Sequence, residues 1–254
     1  MEPILKVENL TKVFSRAGQE DFTAVNSICF NLSPGECLGI IGESGSGKTT
    51  AVNMITRLLD ATEGSILLDG EEITHLKGKE LRGVYRKMQM VFQTPTDSFD
   101  PRRTLGDGIG ESLRNIGMSR KETREEVERL LGKCGLPADF ADRYPHQVSG
   151  GQCQRAAIAR ALAVKPRLLI CDEATSALDV TVQKEILELL NELRSQQGNS
   201  LSILFICHDI SLVQQFCDRV LVMYHGSIVE EGIPNEVIGS PKNAYTQRLI
   251  DSVL

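Results

Sequence analysis

The 254-residue chain is 41% hydrophobic and 24% charged, with a net charge of −6, which suits a globular core and argues against nonspecific nucleic-acid binding. No run approaches the roughly 20 apolar residues that span a bilayer. The N-terminal MEPILKVENLTKVF lacks a basic-then-apolar leader, so the chain is expected in the cytoplasm.

Along the chain, Ile4, Val7, Val13, Phe14, Ala24, Val25, Ile28 and Phe30 alternate with polar residues and predict two or three antiparallel strands. Cys37-Leu38-Gly39-Ile40-Ile41 is apolar throughout, as in a strand buried on both faces of a parallel sheet. Lys48 to Leu59 has helical spacing at Val52, Ile55 and Leu58-Leu59. Residues 62–92 suggest further strands, Ser65–Leu68 and Met88–Phe92, around a polar turn at Asp69-Gly70. From about 100 to 165 the pattern is helical, with Ser119-x-x-Glu122 as a capping box ahead of Val127, Leu130 and Leu131. Leu168–Cys171, Leu201–Cys207 and Val220–Met223 read as further buried strands, and Val182, Ile186, Leu189, Leu190 and Leu193 mark a helix. Strands alternating with helices give an α/β fold with a mostly parallel sheet. The seven cysteines (29, 37, 134, 153, 171, 207 and 217) are scattered without a C-x-x-C, so they are expected as reduced thiols packed in the core.

Gly42-Glu43-Ser44-Gly45-Ser46-Gly47-Lys48-Thr49 matches G-x-x-x-x-G-K-[ST], with Thr50 next, between a buried strand and a helix. Glycines let successive N–H groups point at phosphate oxygens, and the helix N-terminus adds to that field. Lys48 supplies a mobile charge for the outer phosphates, and Thr49 a hydroxyl for Mg2+. A second apolar strand ends in Asp172-Glu173. There Asp172 is suited to hold Mg2+ through water, and Glu173 to polarise the attacking water.

Val148-Ser149-Gly150-Gly151-Gln152 closely resembles the LSGGQ signature of ATP-binding-cassette proteins, with Val148 in place of Leu. Other family marks follow in order. Gln93 resembles the glutamine that contacts Mg2+ and water, Ser176-Ala177-Leu178-Asp179 the loop that passes between cassettes, and His208 the histidine at the γ-phosphate. Phe14 stands where the family stacks an aromatic ring on adenine. From Phe14 to His208 these marks cover about four-fifths of the chain.

The resemblance implies a phosphate-loop NTPase core with an antiparallel β subdomain and a helical signature subdomain. It implies one nucleotide-binding domain over residues 1–254, the helical part at about 94–165 and a short C-terminal tail at about 224–254. It further implies ATP hydrolysis with Mg2+. Two cassettes would face head to tail, Ser149, Gly150, Gly151 and Gln152 of one covering the ATP of the other. The implied partners are a second cassette (a paralogue or a copy of this chain), integral-membrane permease subunits and, indirectly, an extracytoplasmic solute-binding protein, with no nucleic acid. The implied location is peripheral, on the cytoplasmic face of the cell membrane.

Ser98–Thr104, Ser176–Gln183 and Ala244-Tyr245-Thr246-Gln247 resemble the dipeptide, oligopeptide and nickel importer group, and the short segment after Cys217 resembles its nickel and metal-chelate members. A cassette of a cytosolic enzyme complex of the phosphonate-degrading type is the alternative.

Overall fold

The computed structural model describes residues 2–15, 18, 20–174, 178–195 and 201–252. The chain divides into two compact units, residues 1–84 with 200–254, and residues 85–199.

The first unit opens with β1 (Leu5–Phe14) and β2 (Phe22–Leu32), paired antiparallel so that Leu5 faces Leu32 and Phe14 faces Phe22. β3 (Cys37–Ile41) is buried along its whole length, as its unbroken apolar run predicts. It leads through the glycine-rich turn into α1 (Lys48–Ile55). β4 (Glu63–Leu68) pairs with β1 and turns back into β5 (Glu71–Glu72). That turn is Asp69-Gly70, with φ of 55° and 76°, the left-handed pair that a two-residue hairpin needs. Next comes α2 (Gly78–Lys87).

The second unit contains β6 (Met88–Val91), α3 (Leu105–Asn115), α4 (Arg120–Lys133), α5 (Gly150–Leu162), β7 (Leu168–Asp172) and α6 (Val180–Ser195). β6 and β7 are parallel, with Val91 opposite Cys171. α3, α4 and α5 pack on one another through Ile109, Leu113, Val127, Leu131 and Ile158, all buried. The Ser119–Glu122 capping box forms as the spacing predicts.

Returning to the first unit, the chain makes β8 (Ser202–Ile206), α7 (Ile210–Phe216), β9 (Arg219–Tyr224), β10 (Ser227–Gly232), α8 (Pro234–Gly239) and α9 (Ala244–Asp251). β3 lies between β8 and β9 and is parallel to both, while β10 closes antiparallel on β9. Each unit thus carries parallel strands together with helices, the first unit also holds an antiparallel sheet, and the α/β expectation holds.

Three local expectations change. The first helix stops at Ile55 rather than Leu59, because Arg57 adopts φ 61° and the Thr56 hydroxyl donates back to Val52 O at 2.9 Å. Leu58 is consequently 60% exposed. The second change is a helix where only strands were expected, since α2 buries Val84 alone and shows no apolar stripe. Cys29 is the third. It faces outward from β2 beside Asn9, whose N–H donates to its sulfur at 3.1 Å, while the other six thiols are buried as expected. Burial pushes the Cys134 and Cys153 thiols up to about 12 and about 11, so neither is a reactive thiolate.

Candidate functional site

In the first unit, β3 delivers the chain to the turn Gly42–Thr49 at the carboxyl end of a parallel strand, the usual place for ligands in such sheets. Gly42 has φ 152°, and a Cβ there would lie 2.3 Å from Met223 O and 2.8 Å from Ser46 Oγ. Gly47, at φ 104°, would place a Cβ 2.6 Å from Ala24 O. These two positions admit glycine only. Gly47 also stands at the N-cap of α1 and offers no side chain to its N–H groups, and the first turn of α1 has no acidic residue. The helix N-terminus is therefore left for an external anion.

The Lys48 side chain folds back into the loop and is 6% exposed. Its Nζ donates to Gly42 O at 2.6 Å, Glu43 O at 2.8 Å and Ser46 Oγ at 3.3 Å. Thr49 is exposed and Thr50 half-buried, while Glu43, Ser44 and Gly45 form the exposed crest of the turn. Ser46 is buried, and its carbonyl accepts the Gly226 N–H at 2.9 Å. The cradle and its donors fit a chain of phosphates, since neutral N–H groups and one ammonium converge with no carboxylate in the helix's first turn.

His208 belongs to the same edge. Ile206 pairs with Ile40 across β8 and β3, and the Cys207 N–H donates to Ile40 O at 3.3 Å, so His208 and Gly42 leave adjacent parallel strands at the same end. Asp209 then caps α7, accepting from the N–H groups of Ser211 at 2.8 Å and Leu212 at 3.2 Å, which fixes the backbone that carries the imidazole. Phe14, at the end of β1, is 40% exposed, with the Lys12 ammonium 5.1 Å from its ring centre.

The second unit holds the other predicted residues. Asp172 ends β7 half-buried, and Glu173 follows at φ 48°. A non-glycine residue in that left-handed region stores backbone strain of about 1–3 kcal/mol, which is tolerated where side-chain direction matters. Gln93 lies exposed two residues past the end of β6. Because Val91 is opposite Cys171, Gln93 and the Asp172-Glu173 pair emerge from neighbouring strands at one edge.

Ser149 is the N-cap of α5, with a complete capping box. Its Oγ accepts the Gln152 N–H at 3.3 Å, and its own N–H donates to Gln152 Oε1 at 2.9 Å. Ser149 and Gly150 are exposed, and Gly151 and Gln152 half-buried. Of the loop expected between cassettes, Ser176 and Ala177 lie outside the described residues. Asp179 accepts the Val182 N–H at 3.0 Å and so starts α6.

One residue beside the phosphate loop was not singled out for it. The Tyr245 hydroxyl, from α9, accepts the Glu43 N–H at 3.0 Å. The Ala244–Gln247 motif was legible only as a mark of a subgroup, and nothing local in it points back across some 200 residues.

A family model described as "ABC transporter" matches residues 25–176. The oligopeptide transport ATP-binding protein OppF of Escherichia coli K12 is 46% identical over 232 residues, covering 91% of this chain and 69% of the relative. AppF of Bacillus subtilis 168, another oligopeptide transport ATP-binding protein, is 45% identical over 260 residues, or 99% of this chain and 78% of the relative. Among solved structures, a dimeric ATP-binding cassette in a post-hydrolysis state with ADP and Pi has a TM-score of 0.81 at 33% identity, covering 91% of this chain and 98% of that one.

Proposed function

This chain belongs to the ATP-binding-cassette transporter family, and we propose that it is the ATP-hydrolysing motor of an importer that takes up short peptides. The observation that carries the ATPase role is the uncapped α1 N-terminus beneath a glycine cradle, with Lys48 folded inside it. The relatives are named for oligopeptide transport, which favours peptides over nickel or a metal chelate as cargo and a membrane importer over a cytosolic enzyme complex.

In this reading Lys48 leaves the carbonyls of Gly42 and Glu43 to bind the β- and γ-phosphates, while N–H groups of the turn hold the remaining oxygens. Phe14 stacks on the adenine, and its exposed face leaves room for one. Thr49, Asp172 and Gln93 would each offer an oxygen to Mg2+, as the family resemblance implies. One hydroxyl, one carboxylate and one carboxamide suit a cation that keeps phosphates and waters as its other ligands. When bound, Mg2+ would supply positive charge to neutralise the phosphate oxygens. Glu173 accepts a proton from the attacking water and orients it, and its left-handed backbone sets the direction in which the side chain leaves the strand end. His208 donates to the γ-phosphate.

Ser149, Gly150, Gly151 and Gln152 cover the nucleotide of a second cassette, a paralogue or another copy, so ATP closes the pair and hydrolysis reopens it. The closed state is favoured only by the extra affinity that ATP has for it. Permease subunits receive the motion, with an extracytoplasmic solute-binding protein upstream. Among the described residues no helix is long and apolar enough to cross a membrane, which suits a peripheral subunit held at the cytoplasmic face by such partners.

The test is uptake of labelled oligopeptide and of nickel in cells whose own copy is replaced by wild type or by Glu173→Gln, in a strain lacking other importers of this class. Loss of peptide uptake with nickel uptake intact is the expected result. Loss of nickel uptake alone would move the cargo to metal, and no change in either would remove the importer of these solutes.

A further inference from the structure

The Ala244–Gln247 motif has a place in the structure that the mechanism above does not use. The Glu230 carboxylate on β10 accepts the N–H groups of Lys242 at 2.8 Å and Asn243 at 3.0 Å, which pins the segment entering α9. Asn243 then caps α9 by accepting the Tyr245 N–H at 2.8 Å. Tyr245, 4% exposed, stacks on Tyr224 at the end of β9, with ring centres 3.9 Å apart and planes at 27°. β9 is in turn parallel to β3, with Val222 opposite Ile41, and Met223 O bounds the space beside Gly42. Cap, stack and strand therefore hold the Tyr245 ring firmly against the start of the phosphate loop.

From that position its hydroxyl accepts the Glu43 N–H at 3.0 Å. The carbonyl of Glu43 accepts the Ser46 N–H at 3.2 Å and Lys48 Nζ at 2.8 Å, so both faces of this residue's backbone are fixed. When Lys48 turns to phosphate, the loop loses that ammonium from two carbonyls at once. Among the described residues, the backbone hydrogen bonds left at Glu43 are the Ser46 turn and the tyrosine hydroxyl. A hydroxyl supported by a capped helix and a ring stack keeps its position during this exchange, because none of its supports involves Lys48.

We propose that Tyr245 is a positioning residue for ATP binding, tethering the phosphate loop to α9 so that the loop keeps its shape when Lys48 releases it. The proposal rests on the reading of Gly42–Thr49 as the ATP site. Burial raises the Tyr245 hydroxyl above its ordinary range, so it stays neutral and the tether does not titrate near neutrality.

Steady-state ATP hydrolysis by the full chain with Mg2+ tests it, with Tyr245→Phe, Tyr245→Leu and Lys48→Ala compared with wild type and ATP binding titrated in parallel. Tyr245→Phe removes only the oxygen and keeps the stack. It should raise KM for ATP roughly three- to tenfold, the effect of one neutral hydrogen bond, with kcat within about twofold. Tyr245→Leu should raise KM at least as much and also lower Tm. If Tyr245→Phe has wild-type KM while Lys48→Ala loses ATP, the tether is overturned, whether or not Tyr245→Leu is impaired, because only packing then matters. If Lys48→Ala binds ATP normally, the phosphate-loop reading falls and the tether falls with it.

Discussion

Two glycine-rich turns each open a helix in this chain, and they are built in opposite ways. Gly42–Gly47 leads into α1 with no side-chain cap, two glycines that cannot be replaced without collision, and a buried lysine turned inward. Val148–Ser149 leads into α5 with a conventional capping box, no left-handed residue, and its first glycine exposed. The first turn provides no side-chain cap for the start of α1, whose N–H groups are left to something that arrives. The second satisfies two of its own by exchanging hydrogen bonds between Ser149 and Gln152. A turn that binds within its own chain is shaped around its ligand in advance. On the proposed function the second turn covers a ligand on another chain, so it has to be stable alone when that partner is absent.

One expected effect separates the two turns by ligand. Lys48→Ala should weaken ATP binding to the isolated chain by about 10- to 100-fold, the range for losing a charge-assisted contact. Ser149→Ala should leave that binding within about twofold, measured by the same nucleotide titration. Equal losses from both would erase the distinction. The next effect separates them by backbone. Gly42→Ala should destabilise the fold by about 2–4 kcal/mol, since its Cβ meets a backbone carbonyl at 2.3 Å. Among the described residues a Cβ on Gly150 would meet only Leu178 at 3.5 Å, an ordinary contact, so Gly150→Ala should change stability by less than about 0.5 kcal/mol. Chemical denaturation of the two variants side by side reads both. Smaller again is the cap itself. Ser149→Ala should cost about 1 kcal/mol of stability, seen as a lower denaturation midpoint at unchanged slope.

The same contrast shows what a sequence states openly. The turn into α1, the strand ending at Asp172 and the turn into α5 were legible because each is set by a short run of neighbouring residues. Buried strands such as β3 and β8 were legible for a similar reason, since continuous apolar residues need no partner to be recognised. α2 was not, because a helix that buries only Val84 has no periodic stripe. The end of α1 was missed because Leu58 and Leu59 continue the apolar spacing, while the left-handed Arg57 that ends it has no sequence signature. Tyr245 was invisible as a site residue for a different reason. Its partner is a backbone N–H on Glu43, and backbone donors leave no residue type to match. The left-handed Glu173 was likewise beyond a reading of residue types.

A third helix start gives the smallest and most discriminating test. α4 carries the same box as α5, but with Glu122 where α5 has Gln152. A carboxylate is the better partner for a helix N-terminus, because the macrodipole there is positive. The neutral amide at α5 therefore gives up some stability, and on the proposed function it leaves that field for an anion. At α4 the Ser119 hydroxyl and then its N–H hold Glu122 below the usual carboxylate range. A lowered folded-state value means its stabilisation is present above the unfolded value of about 4.3 and is lost as pH falls through the folded one. Glu122→Gln should thus flatten part of the acid limb of Tm against pH. Gln152→Glu should add such a limb, and near pH 7 raise stability by about 0.3–1 kcal/mol. On the proposed function it should nonetheless lower ATP hydrolysis, because the new charge would face the phosphates held by a second cassette. A Gln152→Glu variant both more stable and fully active would mean that the α5 N-terminus meets no anion.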